Sequence, residues 1–197
     1  YYNYLYKMFS IVIPLFNEEE NIISLLDEIY LELKNIQKYE IVLVNDCSTD
    51  NTLELISNYT KHKKIKIINN KFNKGQSYSM NKGIVNSFYD TIITLDGDGQ
   101  NNPKDIPNLL GIYEKQKERC LVGGIRLNRK DNLIKIMSSK IANSIRSAIL
   151  QDNCSDTGCS LKIFSKNDFI KLPYFDGIHR FLPALFKNLG CVLLFVN

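Results

Sequence analysis

The sequence predicts an α/β protein with a mostly parallel central sheet and helices on both of its faces. Continuous apolar stretches alternate with stretches carrying apolar residues at helical spacing, and several of the apolar stretches end in polar clusters. Length adds a third observation, because 197 residues suit a single domain and are too few for two ordinary cores. Hydrophobic residues at 44% and charged residues at 23% match a folded globular chain and exclude disordered or collagen-like classes.

Phe9 to Leu15 reads as a buried strand. Glu18 to Ile36 follows as a helix, with Ile22, Leu25, Leu26, Ile29, Leu33 and Ile36 on one face. Glu40 to Asn45 is a second strand, Asp50 to Tyr59 a helix and Lys64 to Asn69 a third strand. Gln76 to Phe88 continues as a helix and Thr91 to Asp96 as a fourth strand. A helix over Pro103 to Lys117 opens on a proline suited to a first turn, and Cys120 to Ile125 is the next strand. A long helix is expected from about Leu133 to Leu150; its stripe of Ile134, Met137, Ile141, Ile145 and Ile149, with Lys and Arg beside it, fits core packing or a membrane surface. From Asp152 the pattern is less regular until a final strand, Gly190 to Val196.

The longest apolar runs, Ile11 to Phe16 and Cys191 to Val196, fall well short of the roughly 20 residues of a membrane-spanning helix. No secretory pattern is present, residues 1–7 read as leader sequence ahead of Met8, and the expected location is cytoplasmic. Cys47, Cys120, Cys154, Cys159 and Cys191 are scattered and odd in number, which predicts reduced thiols. The net charge of +4 is concentrated in Lys61, Lys63, Lys64, Lys66, Lys71 and Lys74, a solvated face or a contact for phosphate or a membrane. Nucleic-acid signatures are missing.

Ligands of open parallel sheets bind outside the carboxyl ends of the strands. The first strand ends in Pro14-Leu15-Phe16-Asn17-Glu18, the second in Asn45-Asp46-Cys47-Ser48-Thr49-Asp50 and the fourth in Asp96-Gly97-Asp98-Gly99-Gln100. Acidic groups gathered on one rim repel unless a cation sits among them. Asp96 and Asp98, one residue apart, can face one hard cation with Gln100 adding a neutral oxygen, which favours Mg2+ or Mn2+ over Zn2+; a plain turn with two solvated carboxylates is the alternative. Asp46 is placed to bond a base or ribose, whereas Asp50 suits the cap of the following helix. Neither a Gly-x-Gly-x-x-Gly fingerprint nor a phosphate-loop motif occurs.

The three strand-end segments, together with Gly123-Gly124-Ile125-Arg126, Asp156-Thr157-Gly158-Cys159-Ser160-Leu161-Lys162 and His179-Arg180-Phe181-Leu182-Pro183, resemble the signatures of family 2 glycosyltransferases of the dolichol-phosphate mannosyltransferase type. The resemblance implies a GT-A type nucleotide-sugar transferase fold in one catalytic domain over residues 1–197, stopping short of the family's usual C-terminal part. It implies that Pro14, Phe16, Glu18, Val44, Asp46, Asp96, Gly97, Asp98, Gln100 and Arg126 bind the nucleotide sugar and that Asp96, Asp98 and Gln100 hold the metal. Phe16 stands where the family carries Tyr, and Asn45 replaces the first Asp of its usual pair. Asp98, Arg126 and Asp156 are the implied catalytic residues; Lys140 and Arg180, with Arg146 beside them, are candidates for an acceptor phosphate.

The implied reaction is metal-dependent, inverting transfer of a mannose- or glucose-like sugar, as from GDP-mannose, to a dolichyl or undecaprenyl phosphate at the cytosolic face of a membrane. An alternative acceptor is a glycan or glycolipid hydroxyl, for which Asp156 would serve as base. A nucleotidyltransferase or a silent nucleotide-binding module are the readings from other classes.

Overall fold

The computed structural model describes residues 8–59, 64–125 and 159–196. Among these residues seven strands form one sheet in the order β3-β2-β1-β4-β6-β5-β7. They are β1 Phe9–Leu15, β2 Tyr39–Asn45, β3 Ile65–Asn69, β4 Thr91–Thr94, β5 Cys120–Gly124, β6 Lys162–Ser165 and β7 Val192–Val196. The helices are α1 Ile22–Glu32, α2 Thr52–Asn58, α3 Gln76–Val85, α4 Asp105–Lys115, a short α5 Lys166–Phe169 and α6 Leu182–Asn188, with a 3-10 turn at Ile178–Arg180.

Strand β1 pairs in parallel with β2 and β4, and β2 in parallel with β3. Strand β6 runs antiparallel to both β4 and β5, while β5 and β7 are parallel. The segment after Asp152, expected to be irregular, thus supplies an internal strand, two short helices and the 3-10 turn. A four-residue strand that reverses direction has neither the length nor the following crossover helix that made the earlier strands visible.

Alternate strand residues face opposite sides of the sheet, so each strand feeds two cores. Ile11, Ile13, Ile41, Leu43 and Ile93 pack with Leu26 and Ile29 of α1, Ile56 of α2 and Leu109 of α4. On the other face Val12, Val42, Val44, Ile92 and Phe164 pack with Met80 and Ile84 of α3 and with Leu182 and Phe186 of α6. Helix α3 lies unusually close to the sheet because Gly83 carries no side chain: a Cβ there would sit 2.5 Å from Val12 Cγ1 and 2.9 Å from Val44 Cγ2.

Helix ends depart from the sequence expectation where loops are tied elsewhere. Helix α1 starts at Ile22 rather than Glu18, because the Glu18 N–H donates to Thr52 Oγ1 and its carbonyl accepts from Asn21 and Ile22. Helix α3 stops at Val85, where the Ser87 hydroxyl donates to the Gly83 carbonyl. The expected helix over 133–150 lies outside the described residues. The described cysteines are free thiols, as expected, and Cys154 is not among the described residues.

Candidate functional site

Strand order reverses at β1, whose neighbours β2 and β4 lead to opposite halves of the sheet, and the crevice at such a switch point is the natural ligand site. A cleft of about 360 Å3 opens there, lined by Pro14, Phe16, Glu18, Asp46, Asn73, Gly75, Gln76, Ser79, Asp96, Gly97 and Asp98.

Its floor is stitched together by the loops themselves. Asn17, in a left-handed conformation at φ 57°, accepts the Thr49 N–H through Oδ1 at 2.8 Å, and its own N–H donates to Ser48 Oγ at 3.0 Å. Asp50 lies one residue before Asn51, the N-cap of α2, and so is not the cap expected of it; its carboxylate accepts from the Thr52 N–H at 3.0 Å and from the Glu19 N–H at 3.2 Å and ties the two loops together. Asn45, where the family has an acid, is buried and donates to Asn69 Oδ1 at 2.6 Å.

Asp46 is only 3% exposed, and its carboxylate accepts from Asn70 Nδ2 at 2.7 Å, from the Gly75 N–H at 2.7 Å and from the Lys74 N–H at 3.0 Å. It therefore holds the loop before α3 against the end of β2. Gly75 sits at φ 85°, a conformation costly for any side chain, and starts the helix so that Gln76 Nε2 reaches Asp96 Oδ1 at 2.7 Å.

The turn after β4 is anchored from the C-terminal third. Ser160 Oγ accepts from the Asp96 N–H at 2.9 Å and from Asn101 Nδ2 at 2.7 Å, and the Cys159 thiol donates to Asn101 Oδ1 at 3.3 Å. Burial pushes the Asp96 carboxyl above its ordinary value and the Asp98 charge pushes the same way, against hydrogen bonds from Ser160 and Gln76 and the nearby Lys162 charge. Burial also raises Glu18, opposed by its bond from Asn21 and reinforced by Asp98, Asp96 and Asp50. The rim thus gathers carboxylates whose mutual repulsion a cation would relieve. The donor set of Asp96 and Asp98 is all oxygen and suits a hard divalent ion that keeps waters or takes phosphate oxygens as further ligands. Among the described residues no cluster of three acidic, histidine or cysteine side chains forms a complete metal cage.

Below Asp96 a second cavity, of about 160 Å3, shares Pro14, Gln76 and Asp96 with the cleft and is lined also by Met80, Thr94, Ser160, Lys162, His179, Arg180 and Leu182. Lys162 is buried and donates to the Cys159 carbonyl. His179 Nδ1 bonds Ser77 Oγ at 2.7 Å, and the same hydroxyl accepts the Gly177 N–H at 2.9 Å. Burial, with the Arg180 and Lys162 charges, lowers His179 to about 4 and keeps its imidazole neutral.

Of the residues expected to bind a nucleotide sugar, Pro14, Phe16, Glu18, Asp46, Asp96, Gly97 and Asp98 line the cleft. Val44 does not: its side chain is fully buried and packs with Met80 and Ile84 of α3. Gln100 is exposed beyond the turn, outside both cavity linings, with its N–H on Asp98 Oδ1 at 3.0 Å. Arg180 lines the second cavity, whereas Arg126, Lys140, Arg146 and Asp156 lie outside the described residues. Gln76, at the start of α3, was not singled out in the sequence, and Ser160, Lys162 and His179 entered only within the segments that carry the resemblance, with no role of their own.

A family model described as glycosyl transferase family 2 matches residues 10–172. The chain is 35% identical over 179 residues to dodecaprenyl-phosphate galacturonate synthase of Rhizobium johnstonii, covering 89% of this chain and 53% of that protein. It is 34% identical over 183 residues to undecaprenyl-phosphate 4-deoxy-4-formamido-L-arabinose transferase of Yersinia pestis, covering 91% of this chain and 55% of that protein. The chain therefore spans about half the length of the curated relatives it matches. Among solved structures, glucosyl-3-phosphoglycerate synthase of Mycobacterium tuberculosis, in complex with Mn2+, UDP and phosphoglyceric acid, superposes with a TM-score of 0.76 at 19% identity, over 97% of this chain and 68% of that one. S. aureus TarS residues 1–349 give a TM-score of 0.66 at 18% identity, over 96% and 58%. The fold is of the GT-A type, and with the family model spanning most of its length this chain belongs to glycosyl transferase family 2, a family of glycosyltransferase enzymes.

Proposed function

We propose that this domain transfers a sugar from a nucleoside diphosphate donor to a polyprenyl phosphate at a membrane surface, with a divalent cation and with inversion at the sugar carbon. The observation that carries the reading is the cleft at the switch point, where Pro14, Phe16, Glu18 and Asp46 on one side meet Asp96 and Asp98 on the other. The polyprenyl acceptor is supported by the two curated relatives, whose names specify dodecaprenyl and undecaprenyl phosphates.

The nucleoside lies between the ends of β1 and β2, with Phe16 and Pro14 as apolar walls and Glu18 as an acceptor. Asp96 and Asp98 would hold a divalent cation at the diphosphate end, and it would supply Lewis-acid stabilisation of the leaving group. Gln76 and Ser160 keep the Asp96 carboxyl from turning away. An acceptor phosphate oxygen forms the new bond to the sugar carbon as the bond from that carbon to the diphosphate oxygen breaks, and the electron pair leaves on the nucleoside diphosphate. The acceptor is already an anion at neutral pH, so catalysis rests on positioning and electrostatics rather than on a dedicated base. Arg126 and Lys140 are the proposed phosphate partners within the segment 126–158.

The test is thermal-shift binding of UDP, GDP, UDP-glucose and GDP-mannose, each with and without Mn2+, in the native chain and in Asp98→Ala. A ligand that binds only the native state raises its stability by mass action. Mn2+-dependent stabilisation by one nucleotude class, lost in Asp98→Ala, is expected. Stabilisation by none of them overturns the reading.

A further inference from the structure

The second cavity meets the donor cleft at Pro14, Gln76 and Asp96, which is where the diphosphate of a donor seated in the cleft would end. The group beyond a donor's diphosphate is its sugar. The charges around that space do not cancel. Lys162 is buried and donates to the Cys159 carbonyl. His179 is pinned through Nδ1 to Ser77 and is neutral. Arg180 remains, its charge near enough to His179 to hold the imidazole down, and among the described residues its guanidinium has no carboxylate partner.

We propose that this cavity is the donor's sugar subsite and that it selects a sugar bearing a carboxylate, with Arg180 as the carboxylate's partner. The inference rests on the donor reading given above and replaces the neutral mannose- or glucose-like hexose that the family resemblance implied. A guanidinium offers a planar pair of N–H donors matched to a carboxylate, a geometry no neutral hydroxyl can use fully. The walls contributed by Pro14, Met80, Leu95 and Leu182 lower the local polarity and strengthen that pairing. The 3-10 turn carrying Arg180 does not swing freely, because Ser77 Oγ takes both the Gly177 N–H and the His179 ring. Arg180 is therefore presented to the cavity by helix α3, the same helix whose first residue holds Asp96. A hydroxymethyl sugar would leave the exposed guanidinium without an anionic partner, and that difference between the two sugars is what the site discriminates.

Calorimetric titration with Mn2+ present tests this in the native chain and in Arg180→Met, using UDP, UDP-glucose and UDP-glucuronate, and GDP, GDP-mannose and GDP-mannuronate as the guanine series. The quantity read is the ratio of uronate to hexose affinity within one nucleotide series, so a general loss of binding in the variant does not imitate the effect. The native chain should prefer the uronate by about two- to fivefold, the scale of an ion pair made by an exposed guanidinium, and Arg180→Met should bring the ratio close to one. Equal binding of hexose and uronate by a chain that binds the free nucleotide overturns this inference alone. A preference that survives in Arg180→Met overturns it too and frees Arg180 for the acceptor phosphate. Failure of both UDP and GDP to bind overturns the donor reading, and this inference with it.

Discussion

The Asp46 carboxylate accepts hydrogen bonds from the Asn70 side chain and from the Lys74 and Gly75 backbones, so its first task is to shape the cleft. Asp46→Ala leaves those donors unpaired in a nearly buried place, and a loss of about 2 kcal/mol or more in urea unfolding is expected. Asp46→Asn keeps one accepting oxygen and should recover part of it. Gly97 makes a different demand, because a Cβ there would stand 2.5 Å from Leu15 Cδ2 and 3.2 Å from Glu18 Cγ. Gly97→Ala must displace the buried Leu15 side chain; we expect about 1–3 kcal/mol of destabilisation together with weaker nucleotide binding in the same titrations. Glu18, Asp46, Asp96 and Asp98 were legible in the sequence because each follows an apolar strand. Gln76 was not, and the parts played by Ser160 and His179 inside the resembling segments were not either, since what makes them part of the site is pairing across long sequence separations.

Helix α3 is the element on which the site turns. Its first residue holds Asp96, its second holds the 3-10 turn, and its glycine lets it lie against β1 and β2. Gly83→Ala should cost about 1–3 kcal/mol by overpacking against Val12 and Val44. Trimming Val12 to Ala in the same chain should relieve part of that cost, so the double variant will be less unstable than the sum of the singles, as read by a double-mutant cycle. The alternation of strand and helix up to β5 was readable because each parallel strand needs a long crossover whose amphipathic face is plain. Strand β6 escaped that logic, being short and antiparallel to both neighbours.

At the scale of the whole molecule, acid should loosen the link between the two halves. His179 is depressed from 6.5 to about 4, so between those values the unfolded chain binds more protons there than the folded one. The stability it contributes is present above pH 6.5 and is lost as pH falls towards 4. A variant with His179→Asn should show a smaller loss over that window when thermal unfolding is followed against pH. Asp168 adds to acid sensitivity at lower pH, because Lys171 and Arg119 hold its carboxyl below the ordinary range although burial opposes them. Its stabilisation is present above the unfolded value of 3.8 and disappears as pH falls through the lower folded value.

The insertion of β6 between β4 and β5 also sets an order of events during synthesis. Strand β5 leaves the ribosome before either of its neighbours in the sheet exists, since β6 and β7 both follow it in the chain. Until they arrive, β4 presents one bare row of amide and carbonyl groups and β5 presents two, and such rows are templates for pairing with another chain. The half built on β1 to β4 can assemble early from adjacent units, whereas the Asp96 turn waits for Ser160, and the 3-10 turn that meets Ser77 comes later still. A nascent chain thus acquires its cleft in outline first and its finished geometry last, which makes the newly made protein most vulnerable to aggregation shortly before its fold is complete.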